Sequence, residues 1–221
     1  ALLGLPSMKA HLQSGESALH PAAVLKEIAK NPNQRRALLL MMLMMIAGFS
    51  VIPFISPYFV QNVGMTEMEL VYNYLAGGAF TFVSSQFIGK LSDRYGKRPV
   101  LITLCLLSII PILLVTHIGV ISLPLAVGVC TLFFILVSGR SVPGLALITS
   151  TVRPEHRGSF MSFNSAIQQL SAGLATMLAG LIVVTGADGK LYHFGWVGIL
   201  AAVVSLLTIP LVRRITPLEK S

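Results

Sequence analysis

The stretch "GKLSDRYGKRP", Gly89 to Pro99, sets four basic residues and one acid between two long apolar runs. Its setting makes the cluster stand out. The chain of 221 residues is 54% hydrophobic and 11% charged, with a mean hydropathy of +0.80. A soluble domain carries about 25% charged residues. The composition therefore reads as an integral membrane protein surrounded by lipid, not a soluble enzyme. The formal charge of +8 is held in short clusters between apolar segments. A nucleic-acid module would spread it over one polar face, so no nucleic-acid partner is expected.

A spanning helix needs about 20 mostly apolar residues. Six segments qualify: Ala37–Gln61, Leu70–Leu91, Val100–Thr116, Leu123–Thr149, Ser159–Thr185 and Tyr192–Val212. The third is short, and Pro111 is expected to bend it. Fourteen of the sixteen Lys and Arg residues fall before the first span, between spans two and three, between four and five, or after six. Lys190 alone lies in the other loops, and Arg140 lies inside span four. That asymmetry predicts cytoplasmic N- and C-termini. It also makes Gly89–Pro99 a cytoplasmic loop whose bases fix topology. Topology alone does not explain Asp93 or the two glycines. A tight hairpin needs glycine where the chain turns or backbones approach, and an acid among bases pairs locally or caps a helix N-terminus.

Gly89, Leu91, Asp93, Arg94, Gly96, Lys97 and Arg98 resemble the signature G-x-L-a-D-R-x-G-R/K-K/R of the major facilitator superfamily, with Ser92 where alanine is common. That signature follows the second and the eighth helix of the family. The charged segment Lys9 to Arg36 resembles the family's central loop, and the apolar start Ala1–Leu5 resembles the end of a sixth helix. The chain is therefore expected to be a piece of something longer, the C-terminal six-helix half. Residues 1–36 would be a cytoplasmic loop, 37–214 the membrane bundle and 215–221 a cytoplasmic tail. The resemblance implies an all-α membrane fold with a 3+3 inverted repeat, half of a twelve-helix protein. Ser138–Ala175, with Arg157-Gly158 before its last helix, resembles bacterial sugar-efflux and drug:proton antiporter relatives. A proton-coupled exporter of a small solute in the bacterial inner membrane is implied, working by alternating access with an N-terminal half. In such proteins the loop acid holds the cytoplasmic side closed. Asp93 is the corresponding gating acid, with Arg94 and Arg98 as partners.

Polar groups inside a bilayer are costly and call for named partners. Arg140 lies near the middle of span four, with Pro143 and Gly144 following. Two readings stand: a cavity-facing cation for an anionic group, or a structural arginine bonded to carbonyls and a neighbouring helix. Asn164 and Gln168 share a helix face and either line a cavity or bond between helices. Below them Ala172, Thr176 and Gly180 form a packing row, as do Gly77, Thr81, Ser85 and Gly89 in span two. Phe54 and Tyr72 are further pathway candidates. Tyr58 and Phe59 are expected in an outer interfacial belt, and the Met41–Met45 run against lipid or in the core.

Cys105 and Cys130 read as buried apolar residues. No histidine has metal-ligand spacing, and "GADGK", Gly186–Lys190, is only an outer turn. No cofactor, metal or enzymatic activity is expected. The partners expected are membrane lipid, the N-terminal half and a small-molecule substrate. Two other readings remain beside the half-transporter: a self-contained six-span homodimer and a membrane scaffold without transport.

Overall fold

The computed structural model describes residues 30–218. The apolar start and most of the expected central loop therefore lie outside the described residues. The described chain forms six helical rods, two of them broken.

Rod I begins at Asn31, whose side chain accepts from the N–H groups of Asn33 and Gln34, with Pro32 in the first turn. Helix α1 (Pro32–Phe49) ends where Pro53 removes the N–H that would meet the Phe49 carbonyl. Helix α2 (Ile52–Tyr58) follows, then a π turn over Phe59–Val63 that closes on Gly64 at φ 90°. The orphaned Phe49 carbonyl accepts from Thr176 Oγ1 across the helix interface, at 3.1 Å. Rod IV breaks in the same way. Helix α5 (Leu123–Gly139) stops four residues before Pro143, Arg140 stands at the joint, and α6 (Ser141–Thr149) continues. Ser50 and Arg140 thus precede their prolines by the same three residues. Spans one and four therefore each cross as a jointed pair, Pro32–Val63 and Leu123–Thr149.

Between the broken rods lie rod II, α3 (Glu67–Tyr95), and rod III, α4 (Lys97–His117). Thr66 and Glu69 form a reciprocal capping box that starts α3. The Gly89–Pro99 segment is not a loop. Gly89 to Tyr95 are the last turns of α3, Lys97 to Pro99 the first of α4, and Gly96 alone joins them at φ 94°, ψ 148°. Only glycine adopts that backbone readily, so one of the two glycines answers the need for a turn. Gly89 lies inside the helix, its Cα facing Val142 of α6. Helix α4 runs unbroken through Pro111.

Rod V is α7 (Arg157–Ile182) and rod VI is α8 (Phe194–Arg214). The segment between them corrects two expected span ends. Val184–Thr185 and Leu191–Tyr192 pair as a two-stranded antiparallel hairpin, β1 and β2, around the GADGK turn. Five rods are long and apolar enough to cross a membrane; α3 is not among them. Its 29 residues suffice in length, but Asn73, Ser84, Ser85, Gln86 and three tyrosines dilute its hydropathy.

The rods pack in the order II, IV, III, VI, I, V, and II–III and V–VI touch only lightly. Small residues permit the close approaches. A Cβ on Gly77 would meet the Phe134 ring at 2.6 Å, and one on Gly139 would meet Ile88 at 2.4 Å. The expected seam on α3 therefore faces rod IV. Tyr58 and Phe59 are buried in the core, not in an interfacial belt. The joint of rod I turns them inward, where the Tyr58 hydroxyl donates to the Ile118 carbonyl at 2.8 Å. Met41 and Met44 are buried against Gly144 of α6.

Candidate functional site

Arg140 is the largest fully enclosed side chain among the described residues, 1% exposed. Its Nη1 donates to Ser205 Oγ of α8 at 3.0 Å and to Ser108 Oγ of α4 at 3.4 Å. Its Nη2 donates to the Met44 carbonyl of α1 at 3.2 Å. One guanidinium on rod IV therefore reaches rods I, III and VI. The planar fork with several N–H groups suits this task, whereas an ammonium on a flexible stem does not. These acceptors are two hydroxyls and a carbonyl, with no carboxylate among them. The cation is thus held by dipoles at the crossing of four rods.

The two joints face one another. Gly48, just before the break of rod I, places its Cα against Val137 and the Arg140 guanidinium. The site is thus built from two proline breaks, a cation at one of them, and serines from the two rods behind. Ser108 and Ser205 were not singled out from the sequence. Each stands alone in an apolar run, "LLSII" and "VVSLL", and that isolation is the signal that marks them.

The other predicted pathway residues are distributed around this centre. Phe54 of α2 is half-buried, its ring 6.1 Å from that of Phe194 and its edge against Gly180. Asn164 of α7 is fully enclosed, and neither its amide nitrogen nor its oxygen has a partner. Such an orphaned buried amide is costly. Gln168, one turn on, is half-buried. Tyr72 is 57% exposed on α3, which packs mainly on rod IV and meets rod I only lightly, as where the Tyr74 hydroxyl bonds Ser56 Oγ.

The basic segment has its own geometry. Asp93 and Arg94 are exposed, and the Arg94 guanidinium lies over the Tyr95 ring at 5.3 Å. Lys97 Nζ donates to the Ala146 carbonyl of α6 at 3.2 Å, and Arg98 donates to the Ile215 carbonyl. Both bases therefore bond backbone carbonyls of other elements. Ser92, Asp93, Lys97, Arg98, Ser150 and Pro217 line a cleft of about 450 Å³ there. The segment after α8 crosses this end of the bundle. Leu218 N–H donates to the Ser150 carbonyl at 2.8 Å, and the Arg214 carbonyl accepts from Arg36 at 3.3 Å.

The comparisons agree with this architecture. The family model described as Major Facilitator Superfamily matches residues 6–143 and 37–221. An uncharacterized MFS-type transporter, YbcL of Bacillus subtilis (strain 168), is 25% identical over 170 residues, which is 74% of this chain and 42% of the relative. The chain thus spans less than half the length of the curated relative it matches. With apolar helices long enough to cross a bilayer and family-model matches that together span nearly its whole length, the chain belongs to the Major Facilitator Superfamily.

Proposed function

We propose that this chain is the C-terminal half of a secondary transporter that exports a small solute, such as a sugar or a drug-like compound, in exchange for protons. The observation that carries the reading is Arg140, a cation enclosed at the facing joints of rods I and IV. Interrupted helices in corresponding positions of two repeats point to a transport site. The shared Ser50–Pro53 and Arg140–Pro143 spacing supports a 3+3 inverted repeat. So does the packing order, which is unchanged when rods I, II and III are exchanged for IV, V and VI.

In this reading α3 is the sixth span. At about 1.5 Å per residue its 29 residues extend about 44 Å. It runs from the end of rod I, three residues away, to a one-residue joint with α4. With both neighbours crossing the bilayer, it crosses too. The Lys and Arg asymmetry then puts both ends in the cytoplasm, in the inner membrane of a bacterium, with residues 1–36 as the loop from the preceding half. The partner half would rest on α3 and α7. These packing-order ends expose Tyr72, Phe80, Phe82, Leu170 and Leu174. Asp93, exposed beside the 450 Å³ cleft, is the gating acid toward that half.

The test uses the complete protein in proteoliposomes with an internal pH indicator and a panel of sugars and lipophilic drugs. A solute-dependent proton flux is expected, lost in Arg140→Ala at equal reconstitution. Full flux in that variant, or solute movement indifferent to the proton gradient, overturns the assignment. Asp93→Asn is expected to raise labelling of cytoplasmic-side cysteines; unchanged labelling removes the gating role.

A further inference from the structure

Helices α7 and α8 both pack on rod I but touch each other only lightly. The wedge between them holds a cleft of about 190 Å³, lined by residues of α1, α7 and α8 and by Ser50 at the joint of rod I. Ala179 and Ala201, 2% and 1% exposed, form its floor. Leu178 and Leu200, about half exposed, form its rim. No residue of α3, α4, α5 or α6 lines it, so it is separate from the Arg140 crossing.

The lining is apolar except for Ser50. That side chain is 91% buried, and its Oγ has no hydrogen-bond partner. Several buried hydroxyls of the rods bond back to their own helices, although those of Thr81, Ser92 and Thr131 also lack a partner. Ser108 donates to Cys105, Thr116 to Ile112, Ser171 to Ile167 and Thr208 to Ser205. Ser50 does not. A water would need two to four polar partners to reside there, and the cleft provides one. No charged group lines it, which excludes an ionic ligand.

We propose that this cleft is a binding site for a neutral, single-ring alcohol or phenol that enters from the bilayer. Size, polarity and access each support that class. An apolar cavity of about 150 Å³ accepts benzene, so 190 Å³ holds one substituted ring and not a fused polycycle. The single orphan hydroxyl matches one hydroxyl on the ligand. On the α8 side the rim residue Leu200 is about half exposed and lies off the α3 and α7 faces assigned to the partner half, so the ligand arrives along α8, dissolved in lipid. An acyl chain would fill the same space but leave Ser50 unpartnered. Once bound, the ligand lies against the α1–α2 joint.

The experiment is fluorine NMR of 4-fluorobenzyl alcohol added to the complete protein in lipid nanodiscs, with 4-fluorotoluene as the probe lacking a hydroxyl. The alcohol is expected to bind saturably and to be displaced by unlabelled benzyl alcohol. Ser50→Ala should weaken it about fivefold, the worth of one net hydrogen bond, and leave 4-fluorotoluene unchanged. Ala201→Val, which narrows the floor, should weaken both probes. A signal that grows linearly with lipid in wild type and variants alike is partition into the bilayer and overturns the site. Equal binding of the two probes, with Ser50→Ala changing neither, leaves an apolar or acyl occupant and overturns the assigned class.

Discussion

Asn33 and Thr216 exchange both hydrogen bonds of a backbone pair. Asn33 Nδ2 donates to the Thr216 carbonyl at 2.5 Å, and the Thr216 N–H donates to Asn33 Oδ1 at 2.9 Å. The other end of rod I repeats the device. Asn62 Nδ2 donates to the Leu191 carbonyl and Asn62 Oδ1 accepts from the Leu191 N–H, both at 2.9 Å. An asparagine amide carries the same donor and acceptor as a peptide unit. Rod I is therefore clamped to the residues flanking both ends of α8.

The clamps differ in exposure, and that sets their worth. Asn62 is part-buried whereas the Asn33 bonds are exposed. Asn62→Ala is expected to destabilise by about 1–3 kcal/mol, since it leaves a backbone donor and acceptor unpaired. Asn33→Ala should cost less, because water replaces the lost bonds. Amide hydrogen exchange at Leu191 and Thr216, with thermal unfolding in detergent, checks both.

Arg140 ties three rods to its own, and variants separate that structural part from the proposed part in transport. Arg140→Lys keeps the charge but cannot reach Met44, Ser108 and Ser205 together, so stability should fall by about 1–3 kcal/mol. Ser205→Ala removes the 3.0 Å contact and keeps the cation, at a cost of about 1–2 kcal/mol. If the charge acts in transport, Ser205→Ala retains solute movement that Arg140→Gln loses. Denaturation midpoints and vesicle uptake, measured on the same preparations, give the comparison.

Thr176 is expected to matter only because of Pro53. The proline leaves the Phe49 carbonyl without a helical donor, and Thr176 supplies one. Thr176→Val should cost about 1 kcal/mol. In a Pro53→Ala background the restored N–H meets that carbonyl, and the same substitution should cost markedly less. A double-mutant cycle on unfolding free energy reads the coupling.

The outer hairpin should respond to acid. Although partial desolvation opposes it, the Tyr192 hydroxyl, at 3.0 Å, and the Lys190 N–H hold the Asp188 carboxyl below its ordinary range. A carboxyl lowered in the folded state stabilises above its unfolded pKa and loses that contribution as pH falls through the folded one. The hairpin should thus be unaffected near neutrality and loosen only in acid below the usual aspartate range. Trp196, the single tryptophan, lies four residues beyond Tyr192 and is exposed. Its fluorescence should report a transition at low pH that Asp188→Asn removes.

Much of the architecture was legible along the chain because lipid imposes one-dimensional rules. Apolar length marks the rods, the Lys and Arg bias orients them, and the loop signature names the superfamily. The second rod shows where the rule weakens. Gly77 of α3 packs on Phe134 of rod IV and Asn73 is buried beside Met65, while Gln86 and three tyrosines stay exposed, so its hydropathy falls although its length does not. Tyr58 was misplaced for the opposite reason. Its type suits an interface, but a joint created by Pro53 and Pro57 rotates it into the core.

The sequence alone determined that this is a helical membrane protein of this superfamily, with a basic connection in Gly89–Pro99 and a lone arginine in its fourth rod. Hydropathy, charge and a contiguous motif are local properties, readable without knowing what packs where. Only the tertiary structure decided that Arg140 joins rods I, III and VI, that two asparagines clamp rod I to the ends of α8, and that Ser50 is left unpartnered in a cleft. Those outcomes depend on partners 32 to 183 residues apart, and on which hydroxyl or carbonyl a proline break leaves free. No window of sequence contains both members of such a pair.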